Sequence, residues 1–266
     1  MSFPIAIPEP TSSDPAYNER SLPLYLAALR AAGATPIVVP LHERQDRVAK
    51  LLAGVRGILL PGSRYDIDPQ RYGEEPIPEC SEADPARAAV DELLLQDAFN
   101  LHKPILAICH GAQTLNVWRN GPLIQDLKTT VNHRPGREVV EAHAVRIAPE
   151  SRLARLLPPD KLIAVQVNSS HHQAIRTAGD NLLVSAVSTG DGVIEAVELN
   201  SAEHFVLAVQ WHPERSYAES QFSRDIFAAF AEAAGLWEPR RIEEHEVPGP
   251  PRRGSSSSGW ERTAPE

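Results

Sequence analysis

Over its first half the chain alternates two patterns of apolar and polar positions. Short runs that are apolar almost throughout, Phe3 to Ile7, Pro36 to Val39, Gly57 to Leu60 and Pro104 to Ile108, read as strands buried on both faces. Segments with helical periodicity lie between them. Asn18 to Ala32 places Leu22, Leu26 and Leu29 on one face and ends at Gly33, a C-cap residue. Gln45 to Ala53 forms a second amphipathic helix. Asp84-Pro85 supplies an N-cap and first-turn pair for a helix running to about Leu101, with Val90, Leu93, Leu94 and Ala98 inward. Apolar strands alternating with amphipathic helices predict a mainly parallel sheet covered on both faces, an α/β three-layer sandwich.

Beyond residue 120 the rhythm becomes strand-rich. Glu138 to Ile147, Leu162 to Val167, Leu182 to Val187, Gly192 to Leu199 and Phe205 to Gln210 are short, partly alternating, and punctuated by Gly, Asn and Pro. They predict antiparallel strands laid onto one end of the parallel sheet. Gln221 to Ala234 closes the fold as a helix with Phe222, Ile226, Phe227 and Phe230 packing inward. Residues 1–238 fit one domain. From Glu238 the composition shifts to Pro, Arg, Glu and a run of serines without apolar periodicity, so residues 239–266 are expected to form a disordered tail.

Composition narrows the function classes. The hydrophobic fraction of 42% and charged fraction of 23% are those of an ordinary globular protein. A net charge of −9 with scattered basic residues argues against a nucleic-acid partner. With two cysteines, Cys80 and Cys109, no disulfide framework holds the fold, and Cys80, in a Pro/Glu loop, reads as incidental. Met1 to Pro10 lacks a basic segment followed by an apolar run, and no stretch nears membrane-spanning length. A cytoplasmic protein without a membrane partner is expected.

The candidate chemistry begins at Cys109. It ends the apolar run from Pro104 and is followed at once by His110, Gly111 and a helix from Ala112 to Trp118. Strand, tight turn and helix make the geometry of a nucleophile elbow, with sulfur where serine is familiar. A helix N-terminus there favours thiolate over thiol. Taken alone, Cys109 also reads as a small buried apolar residue. The base such a nucleophile needs is best supplied by Gln210-Trp211-His212-Pro213-Glu214: His212 follows an apolar strand, and Glu214 is placed to swing back to its Nδ1. A strand-end ion pair is the alternative. The loop at Gly62 and Ser63, leaving the Leu59-Leu60 strand, can aim N–H groups at an oxyanion, with the N–H of His110 as second donor; it also reads as a simple turn. In Val167 to Gln173, the residues Ser169, Ser170, His171, His172 and Gln173 suit substrate recognition or a solvated loop. A metal site is not expected, because adjacent histidines in an extended segment point to opposite faces and no carboxylate sits at ligand spacing.

In order along the chain, Leu59 to Gly62, Asp66-Ile67-Asp68-Pro69, Tyr72-Gly73-Glu74, Pro104 to Gln113, Leu123-Ile124-Gln125-Asp126-Leu127, Val167 to Gln173 and Val209 to Glu214 resemble the motifs of the class I glutamine amidotransferase superfamily. Within it they look like the gamma-glutamyl-gamma-aminobutyrate hydrolase (peptidase C26-like) family. The resemblance covers roughly residues 1–237. It implies the flavodoxin-like amidotransferase fold, a Cys109–His212–Glu214 triad, and Gln113 beside a bound glutamyl group. The implied activity is hydrolysis of a γ-glutamyl amide through a thioester, with no cofactor and no metal. The implied partners are a small γ-glutamyl substrate and, as an option left open, a second copy of the chain. An ammonia-donating amidotransferase subunit and a non-catalytic relative are the alternatives. The chain departs from the family at Ala107 and His110, where the elbow usually carries Gly and Arg, and at Ser63-Arg64-Tyr65 in the oxyanion loop. His110 replaces a fixed charge with a group that titrates near neutrality.

Overall fold

The computed structural model describes residues 2–239. Along the chain run β1 (Phe3–Pro8), α1 (Pro15–Ala31), β2 (Ala34–Val39), α2 (Gln45–Leu52), β3 (Gly57–Leu60), α3 (Pro85–Leu101), β4 (Ile105–Ile108) and α4 (His110–Trp118). The second half contributes β5 (Leu123–Ile124), β6 (His143–Ile147), β7 (Val165–Val167), β8 (Ala174–Ile175), β9 (Leu182–Ser188), β10 (Ile194–Leu199), β11 (Val206–Val209) and α5 (Gln221–Leu236). One sheet runs β2-β1-β3-β4-β11-β10-β9-β6-β7, with the short β5 and β8 paired beside it. Pairing is parallel from β2 to β11 and antiparallel from β10 outward.

Alternation along each strand sends its side chains to two cores. Leu59, Leu106, Ile108, Leu207 and Val209 face α1 and α5, where Tyr25, Leu29, Phe227 and Phe230 are buried. Ile58, Leu60, Ile105, Ala107 and Ala208 face α2, α3 and α4, against Val48, Leu94, Leu95 and Leu115. Each fully buried large side chain contributes roughly 1.5–3 kcal/mol of transfer free energy, and the two layers enclose the sheet as the patterning predicts. Asp84 caps α3 by accepting from Arg87 N at 3.1 Å, with Pro85 in the first turn. No helix among the described residues is long and apolar enough to cross a membrane.

Three expectations change. The Phe205–Gln210 segment, grouped with the antiparallel strands, gives β11, which is parallel to β4 and antiparallel to β10, the junction of the two halves. Glu138 to Ala142 and Leu162 to Ala164 stay outside the strands predicted there. Helix α4 starts at His110, two residues early, because Cys109 turns the chain by itself. The tail expected over 239–266 lies, from residue 240, outside the described residues.

Candidate active site

The carboxyl ends of β3, β4 and β11 lie side by side, the usual location of a site in an α/β sheet. Each feeds a predicted site segment: Pro61-Gly62-Ser63, Cys109 and Gln210 to Glu214. Cys109 still pairs with the sheet, its N–H donating to Val209 O at 2.8 Å, while its carbonyl accepts from Gln113 N at 3.1 Å to open α4. One residue thus ends a strand and begins a helix, at φ 53°, ψ −107°, a conformation costing roughly 1–3 kcal/mol for a residue with a side chain. Gly111 makes the turn feasible. A Cβ there would stand 2.3 Å from Leu60 O, so only glycine lets α4 seat against β3.

His212 and Glu214 are buried and joined, Nδ1 to Oε1, at 2.8 Å. That bond leaves Nε2 as the free ring nitrogen, and among the described residues Nε2 has no hydrogen-bond partner. A side chain on Gly62 would stand 3.0 Å from His212 Cε1 and 3.6 Å from Cys109 Cβ, so glycine lets the imidazole, the thiol and the loop converge. Asn168 braces the histidine backbone in both directions, donating from Nδ2 to His212 O and accepting at Oδ1 from His212 N, each at 2.8 Å. This positioning residue, within the Val167–Gln173 segment, was not among the predicted site residues.

Burial dominates the electrostatics. It pushes the Cys109 thiol up to about 12, aided by the charge of Glu214 and opposed by Arg215 and the His110 N–H. The helix N-terminus does not outweigh desolvation, so the free site holds a thiol and not the expected thiolate. Burial also draws His212 down to about 4, with Arg215 acting the same way and Glu214 opposing. Burial works against the Glu214 charge too, yet His212 and Arg215 hold its carboxyl below the usual range. Near neutral pH the trio is therefore thiol, neutral imidazole and carboxylate. His110 differs from expectation as well: burial drives its pKa far below the ordinary histidine value, so it does not titrate near neutrality. Its ring lies 3.4 Å from Thr114 Oγ1.

Of the predicted oxyanion donors, the Gly62 N–H already donates to Tyr25 Oη at 3.0 Å, inside the protein. The Ser63 and His110 backbones remain, and both residues line a cavity of about 370 Å³ that Cys109 and His212 share. Arg87, fully buried and paired with Asp91 at 2.7 Å, donates to Pro61 O at 2.7 Å and Pro10 O at 2.9 Å, clamping the base of this loop.

Of the residues expected to contact substrate, Gln113, Ser170, His171, His172 and Gln173 line the cavity and Ser169 does not; its Oγ donates to His133 O at 2.9 Å. The Gln113 amide is already engaged, donating to Gln173 O and Gln210 Oε1 at 2.9 and 3.1 Å. His172 sits between Asp66 (2.9 Å) and Asp126 (3.1 Å), which ties two motif segments together. Gln125 does the same, accepting from Ile77 N and Cys80 Sγ and donating to Glu74. His171 turns away from His172, toward His133, His143 and Glu195. Sequence reading missed the basic rim: Arg20, Arg64, Arg134, Arg137 and Arg215 converge on the cavity from separate segments. Arg64 is paired with Asp14, whereas among the described residues Arg20, Arg134 and Arg137 pair with no carboxylate.

Residues 8–214 match the family model of peptidase C26. A Mycobacterium tuberculosis protein, Rv2859c, whose name assigns it provisionally to the glutamine amidotransferases, is 37% identical over 223 residues, 82% of this chain and 69% of that protein. The gamma-glutamyl-gamma-aminobutyrate hydrolase PuuD of Escherichia coli (strain K12) is 34% identical over 220 residues, 79% of this chain and 84% of that protein. Among solved structures, the glutaminase domain of Trypanosoma brucei CTPS with bound acivicin aligns with a TM-score of 0.58 at 19% identity, over 89% of this chain and 97% of that one. That likeness extends to the fold.

Proposed function

The chain belongs to the peptidase C26 family, and on that premise we propose that it is a cysteine-dependent hydrolase of γ-glutamyl amides. The reading rests first on the buried His212 Nε2, left without a partner at the end of β11 while Glu214 locks Nδ1, beside Cys109 at the end of β4. Neutral His212 takes the thiol proton as sulfur attacks the γ-carbonyl carbon, and Glu214 stabilises the imidazolium. The oxyanion is met by the N–H groups of His110 and Ser63; one such donor contributes roughly 2.7–4 kcal/mol to the transition state. Collapse breaks the C–N bond, His212 protonates the departing amine, and a γ-glutamyl thioester remains on Cys109. Water, deprotonated by His212, then releases glutamate and restores the thiol.

The rim arginines suit a substrate with more than one carboxylate. A γ-glutamyl-γ-aminobutyrate-like compound carries two, and the Escherichia coli relative is named for that substrate. Glutamate release from γ-glutamyl amides of aminobutyrate, polyamines, aromatic amines and ammonia tests the assignment. Cys109→Ala is expected to abolish release at least 10³-fold while leaving the circular dichroism spectrum unchanged. Turnover persisting in that variant overturns the mechanism. Preference for glutamine, stimulated by lysate, would instead identify an ammonia-donating subunit.

A further inference from the structure

Behind the cavity wall, four side chains from distant segments point at one volume. His133 comes from the loop after β5, His143 from the start of β6, His171 from the loop after β7, and Glu195 from β10. Glu195 Oε1 lies 3.2 Å from His133 Nδ1, 3.3 Å from His143 Nε2 and 3.5 Å from His171 Nε2. The side chains are between 0% and 6% exposed. The donor atoms all lie within 4.8 Å of one another. Among the described residues none of these inward-pointing atoms has a hydrogen-bond partner, and neither does either Glu195 oxygen.

The outer partners decide where the hydrogens sit. His171 Nδ1 is 2.9 Å from the Gln173 carbonyl, which only accepts, so in the neutral ring Nδ1 carries the hydrogen and Nε2 presents a lone pair inward. His133 Nε2 is 2.9 Å from Asp191 Oδ2, itself held by Thr129 Oγ1 at 2.6 Å, so its inward Nδ1 is likewise a lone pair. Two imidazole lone pairs and a buried carboxylate aimed at one point repel unless a cation lies among them. Protonating the rings supplies charge but crowds cations: the ring centroids of His133 are 4.6 Å from His143 and 4.8 Å from His171. A single divalent ion satisfies all four donors. Zinc bonds of about 2.0–2.2 Å in a tetrahedron place donors about 3.3–3.6 Å apart, close to the spacings around Glu195. Imidazole nitrogens favour zinc over calcium or magnesium. The Asp191–His133 and Gln173–His171 bonds are the outer contacts that orient metal-bound histidines.

We propose that His133, His143, His171 and Glu195 form a closed, four-ligand zinc site separate from the Cys109 centre. With four protein donors it has no position for substrate, so its role is structural. It ties β6, β10 and the 168–173 loop together, and through His171 it fixes one wall of the substrate cavity.

The test uses full-length protein without a histidine tag, carrying Cys109→Ala so that the thiol cannot bind metal. After stripping with EDTA, calorimetric titration with zinc chloride is expected to show one zinc per chain. Cobalt substitution is expected to give the intense visible bands of tetrahedral coordination. His143→Ala and Glu195→Gln should abolish tight binding, and Asp191→Asn, which leaves every ligand in place, should weaken it roughly 10–100-fold. The proposal is overturned if the Cys109→Ala protein binds no zinc, or if zinc binding survives His143→Ala unchanged. Should His143→Ala not fold, unchanged affinity in Asp191→Asn overturns it equally. None of these readouts depends on hydrolysis.

Discussion

Cys109 combines a strained backbone with a thiol that burial holds protonated, so in the proposed mechanism it must hand its proton to His212 to react. The residue-scale consequence is a pH profile. His212 is flanked by Glu214 and Arg215, with Cys109 beside it and His171 further along the cavity wall. Its pKa lies near 4, below the ordinary histidine value of 6.5. Only the neutral ring accepts the thiol proton, so activity is present above that pKa and is lost as pH falls through it. We expect the acid limb of kcat/KM to fall near pH 4, measured over about pH 3.5–8 with a γ-glutamyl amide of a neutral amine. A limb between pH 6 and 7 would assign that titration to another group. The positions of Cys109 and His212 were legible in sequence because each follows an apolar strand, and that of Glu214 because it lies two residues beyond His212. Their charge states were not, since these depend on how completely the fold removes water. For the same reason the altered titration expected of His110 disappears on burial.

At the scale of elements, α3 does more than cover the sheet. Its first turn carries Arg87, which pairs with Asp91 one turn later and also holds the Pro61 carbonyl that precedes Gly62. Replacing Arg87 with Met leaves a buried carboxylate uncompensated, and a loss of about 3–5 kcal/mol is expected from urea unfolding. Arg87→Met combined with Asp91→Leu removes both charges and should recover most of that stability. Activity should stay depressed in the double variant, because Pro61 O loses its donor and the loop its clamp. Recovery of both together would show that the arginine acts on stability alone. The cap at Asp84-Pro85 and the inward face of α3 were readable from local pattern, as was the amphipathic α2. The parallel pairing of β11 was not: an apolar run of that length reports burial, and its partner is set by the rest of the sheet. The two-residue β5 and β8 are too short to show any period.

Over the whole molecule, charge is distributed against its average. The chain carries −9 in total, yet the cavity gathers arginines from α1, from the loop after β3, from 134–137 and from the segment after His212. In sequence these look scattered, because only the fold brings the segments together. The His133–His143–His171–Glu195 cluster stayed hidden for the same reason, whereas motifs contained in one segment did not. A basic cavity in an acidic protein focuses field on an anionic substrate and is screened by salt within about 10 Å at 0.1 M. Arg137 is the sharpest probe. It lines the cavity without a carboxylate partner, and burial, then Arg215, draws its guanidinium pKa down, as for a cation short of counter-charge. For γ-glutamyl-γ-aminobutyrate, KM is expected to rise several-fold between low salt and about 0.5 M, with kcat little changed. An uncharged-amine analogue, with one carboxylate fewer, should respond less. Arg137→Ala should raise KM about tenfold or more for the two-carboxylate substrate and flatten its salt dependence. A salt response identical for both substrates and untouched by Arg137→Ala would remove the rim from recognition and leave specificity to the Gln113 and Gln173 wall.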